Sequence, residues 1–281
     1  MKLTDAQLEQ YHRDGYIIMD CPWIVELTEA CLAAVDKVAA QPVGAIEDSI
    51  GNHARLPPQM PGSYWSVLDH SLPFLRIILN DEVVELIRQL YGTHDIYMRN
   101  GGINDMHVGH AVAWHRDYDM DRTEIMHYFT GGRRSNGCLR VLPGSHRGPR
   151  EPWLEKIEQA RREQGIDKTP QSFTNDIDAL VPGEVALEVE PHQLIVRSTA
   201  IWHATHRNEG PHSRMMNHFV YREAEADDHR FHWEEYLTDE LLAALSAQQR
   251  EVLWIGRSFE IAQKYRAERA REVGKVRWGV L

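Results

Sequence analysis

The sequence predicts a mainly β fold, an antiparallel barrel or jelly roll with flanking helices, on three observations. Residues 95–222 are a succession of short β-rich stretches separated by turn residues. The segments before and after them carry apolar residues at helical spacing. One polar, helix-forming stretch, "EPWLEKIEQARREQG", interrupts the β region at about residues 151–165 and reads as a helical insertion.

Taken in order, "LTDAQLEQYHRDG" reads as a short helix, because Thr4 can cap it and Gly15 can end it. A strand, "YIIMD", follows. "WIVELTEACLAAVDKVAA" and "LPFLRIILNDEVVELIRQLYG" have broad apolar faces and read as two packed helices. Between them, "QPVGAIEDSIGNHARLPPQMPGSYW" is rich in Pro and Gly, and about residues 41–65 are expected to form a lid loop. The β region is expected from "DIYMRN", "AVAWHRDY", "EIMHYFT", "CLRVLPGSH", "EVALEVEP", "QLIVRSTAIWHAT" and "MMNHFVYR". Residues 223–281 return to helix. The expectation is one domain over 1–281, with a helical part at 1–94, a barrel core at 95–222 and C-terminal helices at 223–281.

Charge and composition narrow the function classes. The chain has 42% hydrophobic residues and a formal net charge of -11, which repels nucleic acid and anionic membrane. Three cysteines, Cys21, Cys31 and Cys138, lack metal-type spacing and suit a reducing compartment. No stretch reads as a signal peptide or a membrane span, so a cytoplasmic protein acting on a small-molecule substrate is expected, without nucleic-acid or membrane partners. Its oligomeric state is not set by the sequence.

The tripeptide His-Arg-Asp occurs twice, at residues 12–14 and 115–117. On the predicted helix, His12 and Asp14 point about 200° apart and cannot close on one ion. On a predicted strand, the two-residue period sends His115 and Asp117 to one face, where they can converge. A protein kinase requires Asn five residues after such an Asp, and here that position is Arg122. The metal reading is sharper. Imidazole and carboxylate from one strand plus a distant second His make the facial triad of non-haem Fe(II) oxygenases, with three positions left open.

Two further blocks extend the pattern. "SNGCLRVLPGSHRG" spans residues 135–148, and "IWHATHRNEGPHSR" places Asn208 five residues and Arg214 eleven residues after His203. With "HRD" and the opening "LTDAQLEQYHRDGYIIMD", these resemble the phytanoyl-CoA dioxygenase family of Fe(II)- and 2-oxoglutarate-dependent oxygenases, over about residues 3–222. The resemblance implies a double-stranded β-helix of cupin-like jelly-roll form. It implies Fe(II), 2-oxoglutarate as cosubstrate and O2. It makes His115, Asp117 and His203 the iron ligands; His206 and His212 are rivals, but His203 gives the family's spacing to the arginine. Arg214 would pair with the distal carboxylate of 2-oxoglutarate through its planar fork, and Thr205 would assist. "YMRNGGIN" looks like the strand lining the cosubstrate, making Asn104 and Asn100 amide contacts, though a turn role is open for both.

The activity so implied is hydroxylation of an unactivated C–H bond with release of succinate and CO2. Asp117 favours this over halogenation, because related halogenases replace that carboxylate. The stretch "YDMDRTEIMHYFTGGRRS" is shorter than the family pattern leads one to expect, which leaves the substrate class open. Two other classes compete: a cupin-like binding protein without turnover, and a zinc-dependent isomerase or hydrolase in which Arg214 binds a substrate acid. Trp114 and Trp202, each preceding a candidate histidine, should face away from the interior and pack beneath helices. His146 reads as a hydrogen-bonding turn residue.

Overall fold

The computed structural model describes residues 2–39, 63–65, 72–117, 122–223, 233, 237 and 239–256. Helix α1 (Asp5–Asp14) starts with a reciprocal capping box between Thr4 and Gln7. It stops at Gly15, whose φ of 84° is left-handed and whose N–H donates to Tyr11 O at 2.8 Å. A Cβ at Gly15 would lie 2.5 Å from His146 Nδ1, so glycine also permits the helix end to dock on the "PGSH" turn. There Gly144 N–H donates to Asp14 O at 2.9 Å. The first His-Arg-Asp copy is therefore a helix end. Its Arg13 and Asp14 pair with each other near solvent, and His146 Nε2 lies 3.3 Å from His12 O, a turn contact as expected.

Strand β1 (Tyr16–Asp20) follows, then α2 (Val25–Ala39), β2 (Ser63–Trp65), α3 (Leu72–Ile78) and α4 (Asp81–Tyr91). The stretch read as one helix over 72–92 is two helices. Asn80 adopts an extended conformation and its side chain accepts from Glu82 N–H, starting α4 afresh. Within the expected lid segment, Ser63–Trp65 is an edge strand; residues 41–62 lie outside the described residues.

The remaining elements are β3 (Ile96–Met106), β4 (Thr123–Tyr128), β5 (Leu139–Val141), α5 (Glu151–Glu163), β6 (Val185–Leu187), β7 (Gln193–Ser198), β8 (His203–Thr205), β9 (Arg214–Glu223), α6 (Asp239–Ala244) and α7 (Ala247–Val252). A six-stranded antiparallel sheet runs β1-β7-β4-β9-β3-β2, and a three-stranded sheet runs β6-β5-β8. This is the mainly β, helix-flanked jelly-roll architecture that the sequence predicts. The large sheet draws β1 and β2 from the N-terminal segment expected to be helical.

Three apolar layers hold the arrangement together. Ile125, Val196, Phe219 and Tyr221 face the helices, against Phe74, Leu75, Ile78 and Val84. Met126, Tyr128 and Ile195 face inward, against Leu139, Val141 and Leu187 of the small sheet and Val189 just after it. Strand alternation makes this division, since successive side chains take opposite faces. In the third layer Trp114 and Trp202 pack with Ile157 and Ala160 of α5, outside the interior as expected.

Two strand expectations change. "QLIVRSTAIWHAT" divides into β7 and β8, because the chain turns at residues 199–202 and crosses from one sheet to the other. The described part of "AVAWHRDY", residues 111–117, forms isolated bridges and is not a ladder strand. Ala111 bridges Thr174, Trp114 N–H donates to the Asp178 carboxylate at 2.8 Å, and His115 bridges His203. The residues after the helical insertion supply its partners where a neighbouring strand would otherwise do so. Asp178 is itself held by Arg161 of α5, with Nε–Oδ1 at 2.8 Å. Among the described residues, no helix is long and apolar enough to cross a membrane.

His127 on β4 is fully buried, and its Nε2 donates to Pro191 O at 2.9 Å. Burial lowers its pKa from 6.5 to about 4, so the unfolded chain takes up this proton first as pH falls. Stability from a neutral His127 is full above 6.5 and is lost as pH falls towards 4. Urea unfolding should show the wild type losing about 2 kcal/mol more than His127→Gln between about pH 7.5 and about pH 5.

Candidate metal centre and cosubstrate pocket

Two backbone hydrogen bonds assemble the site. His115 N–H donates to His203 O at 2.9 Å, and His203 N–H donates to His115 O at 3.0 Å. The two imidazoles lie with ring centroids 4.1 Å apart. In each ring Nδ1 faces the carbonyl two residues back: His115 faces Ala113 O at 2.8 Å and His203 faces Ile201 O at 3.0 Å. Nδ1–H donation to those carbonyls leaves both Nε2 atoms with free lone pairs. Both point at one carboxylate, with His115 Nε2 at 3.3 Å from Asp117 Oδ1 and His203 Nε2 at 3.6 Å from Asp117 Oδ2. One donor atom from each of the three residues falls within 4.8 Å of the others, which is metal-binding spacing.

The electrostatics match a cation site. Burial lowers the His203 pKa well below its ordinary value, reinforced by the nearby Arg197 and His115, so the ring is neutral and able to ligate. Burial opposes ionisation of Asp117, but the Arg197 guanidinium outweighs it and holds the carboxyl well below the usual range. Asp117 keeps 27% of its side-chain exposure, so this ligand set opens toward solvent on one side.

Arg214 opens β9 and is buried. Its guanidinium lies over the Tyr128 ring at 4.5 Å, and its Nε donates to Asn136 O at 3.2 Å. Its Nη1 is buried without an acceptor, and among the described residues no carboxylate pairs with it. Burial accordingly lowers its pKa, although the cation persists at any ordinary pH. Thr205 shares the inner face of β8 with His203; its hydroxyl oxygen accepts from Val112 N–H at 2.8 Å, leaving the O–H free to donate. Asn104 lies in mid-strand on β3 opposite Met216, and its buried Oδ1 has no partner. A turn role for Asn104 is excluded by this placement. Asn100 pairs with Val220 in β3, also within the strand; its side chain lies outside the described residues.

The rival histidines do not join the cluster: His206 bonds back to Cys138 O through its N–H, and His212 is exposed. Asn208 is a clamp. Its Nδ2 donates to Met106 O and His212 O, both at 2.9 Å, and its Oδ1 accepts from Gly210 N–H at 3.1 Å, fixing the loop that leads into Arg214. Another group with ligand-type side chains, His94, Asp95 and Glu251, is superficial, with Arg88 also 3.6 Å from Glu251.

Sequence reasoning missed Arg197 and Glu124, neighbours across β7 and β4. Arg197 Nη2 donates to Asp117 Oδ2 at 2.6 Å and also forms an ion pair with Glu124 Oε2. The available signal was an arginine directly after the apolar run Leu194–Val196 in a buried strand pattern, where a charge needs a paired acid.

The sequence model of the phytanoyl-CoA dioxygenase family matches residues 11–216, most of the chain, including His115, Asp117, His203, Thr205 and Arg214. The chain belongs to the phytanoyl-CoA dioxygenase family. Members of this family depend on Fe(II) and 2-oxoglutarate and use O2. Solved structures agree on the fold. EctD from S. alaskensis, with 2-oxoglutarate and 5-hydroxyectoine, is 20% identical with a TM-score of 0.58, covering 79% of this chain and 76% of its own. HygX from Streptomyces hygroscopicus is 13% identical with a TM-score of 0.60, covering 82% and 90%. The non-heme alpha ketoglutarate dependent epimerase SnoN from nogalamycin biosynthesis is 15% identical with a TM-score of 0.56, covering 78% and 82%. No curated protein matches the sequence. Phytanoyl-CoA dioxygenase family membership thus gives the chemistry class, while these distant structures give the fold alone.

Asn208→Ala would remove the Asn208 donor from the buried Met106 carbonyl and from the half-buried His212 carbonyl. Urea unfolding should show a loss of about 2 kcal/mol, the cost of stranding such groups.

Proposed function

We propose that this protein is an Fe(II)- and 2-oxoglutarate-dependent dioxygenase that hydroxylates an unactivated C–H bond of a small-molecule metabolite. His115, Asp117 and His203 would hold the iron through the two Nε2 atoms and one carboxylate oxygen. The donor set suits ferrous iron: two neutral imidazoles and one carboxylate leave three positions for cosubstrate and O2. When bound, the iron and 2-oxoglutarate together reduce O2, so that one oxygen atom enters succinate beside CO2 and the other enters the substrate hydroxyl.

The observation that carries this reading is the combination of the three-residue cluster with a buried arginine lacking an acid. A desolvated guanidinium without a carboxylate is costly, and it persists in a fold only where a ligand or the function compensates it. Arg214 would supply two parallel N–H donors to the distal carboxylate of 2-oxoglutarate, with the Tyr128 ring fixing the plane of the fork. The Thr205 O–H would add a third donor. Asn104 would serve the other end of the cosubstrate; its Oδ1 lacks a partner and its register position lies opposite Met216, on the inner face of β3 and β9. Asn100, at the register position opposite Val220, would be a further, weaker contact of the same kind. The ionised Asp117 supports hydroxylation over halide chemistry, since it occupies the position a halide would need.

The test is anaerobic addition of Fe(II) and 2-oxoglutarate, followed by the visible charge-transfer band of the chelate. The wild type should develop the band, and His203→Ala should not. Arg214→Ala should weaken 2-oxoglutarate binding by at least about 30-fold, the equivalent of ~2 kcal/mol for stranding one half of a buried charge pair. Arg214→Lys should recover only part of the loss, because an ammonium cannot form the bidentate pair. A band absent from the wild type would favour a zinc hydrolase or a non-catalytic cupin, and succinate release across a metabolite panel would then show no substrate stimulation.

A further inference from the structure

Asp117 has no backbone hydrogen bond among the described residues. The ladder-like contact ends at His115, and β4 begins only at Thr123. A carboxylate on such a segment needs another restraint if it is to stand where two imidazole Nε2 atoms face it. That restraint is visible on the sheet behind it. Arg197 is buried on β7, directly across from Glu124 of β4, and this Glu124 alone would neutralise its charge. Yet Nη2 also reaches Asp117 Oδ2 at 2.6 Å, while Nη1 lies 3.2 Å from His203 Nδ1. One guanidinium therefore touches the back of both the carboxylate and an imidazole of the cluster.

Charge adds a second argument. Arg197 with Asp117 alone would be a neutral pair and would cancel the charge a cation needs. Among Arg197, Asp117 and Glu124 alone, Glu124 restores a net single negative charge without itself joining the cluster, and its other oxygen lies 3.0 Å from His218 Nδ1. A fork that holds two acids at once also requires arginine: lysine is a point charge without fixed donor directions.

On the assignment of His115, Asp117 and His203 as metal ligands, we propose that Arg197, backed by Glu124, is a positioning residue that occupies Asp117 Oδ2 and leaves Oδ1 as the single oxygen offered to the metal. It would keep Asp117 from spending two coordination positions and would hold it in place before the metal arrives. Partners of this kind beside metal ligands typically change metal affinity or activity by about 10–100-fold when removed.

Co(II) alone serves as an oxygen-stable probe, read by equilibrium titration and by its visible absorption bands on the full-length protein. Wild type should bind it, and His115→Ala should bind it far more weakly; if wild type does not bind, or His115→Ala is unimpaired, the ligand assignment fails and not the positioning role. With that control met, Arg197→Gln and Arg197→Lys should each bind Co(II) about 10–100-fold more weakly and with altered bands. Arg197→Lys keeps the charge opposite Glu124, so its metal-free unfolding midpoint should lie near wild type while its metal affinity does not recover. Affinity and bands equal to wild type in a folded Arg197 variant would overturn the proposal. Should neither variant fold, a crystal structure of wild type with Co(II) decides. One Asp117 oxygen on the metal and the other on Arg197 supports the role; both oxygens on the metal, or Arg197 withdrawn to Glu124 alone, overturns it.

Discussion

The pair of backbone hydrogen bonds between His115 and His203 is the constraint on which the rest of the site depends. Each imidazole is aimed by its own carbonyl two residues back, but only the reciprocal N–H···O contacts place the two rings beside each other. They join a segment that is not part of any ladder to the last strand of the small sheet. Support for that segment comes from outside the sheets. Asp178 receives the Trp114 N–H, and Arg161 on α5 holds Asp178, so the helical insertion buttresses the His115 segment from behind. Trp114 and Trp202 fill the space between α5 and this segment and exclude water from it. The insertion thus has a mechanical role in the site although it contributes no side chain to it.

Two buried arginines divide the interior electrostatics. Arg197 is saturated: Asp117 and Glu124 both claim it, and its cost of burial is offset by close, oriented ion pairs. Arg214 has the opposite condition, an aromatic face, one carbonyl and, among the described residues, no acid at ion-pair distance, with Asp105 acting on it only from farther off. The first belongs to the protein's own charge balance, and the second is a cation prepared for something the chain does not contain. Asn208 extends the same logic to backbone, spending both ends of its amide to fix the loop from which Arg214 emerges.

Much of this was legible in residue spacing. The separation of the two His-Arg-Asp copies followed from helical against extended geometry, and the docked helix end at Gly15 and the converged His115 and Asp117 agree with it. The outward placement of Trp114 and Trp202 followed from alternation. Boundaries were less legible. Asn80 restarts a helix through a local side-chain cap that an apolar pattern does not register, and the turn at residues 199–202 is a change of sheet within an unbroken β-prone run. For residues 111–117, the partners are side chains and loop carbonyls remote in sequence, so a strand-like pattern could not distinguish a ladder from a tether.

What the sequence determined by itself is the kind of chemistry, since the ligand types and the spacing from His203 to Arg214 are local properties of the chain and persist in any register that keeps those faces inward. What only the tertiary structure decided is which charges meet. Arg197 lies between Asp117 and Glu124, and Arg214 is left without a directly paired acid among the described residues, because pairing of β7 with β4 and crossing of the chain between sheets decide which remote residues reach hydrogen-bonding distance. Burial then turns those distances into energies, by removing the water that would otherwise screen one charge from the next.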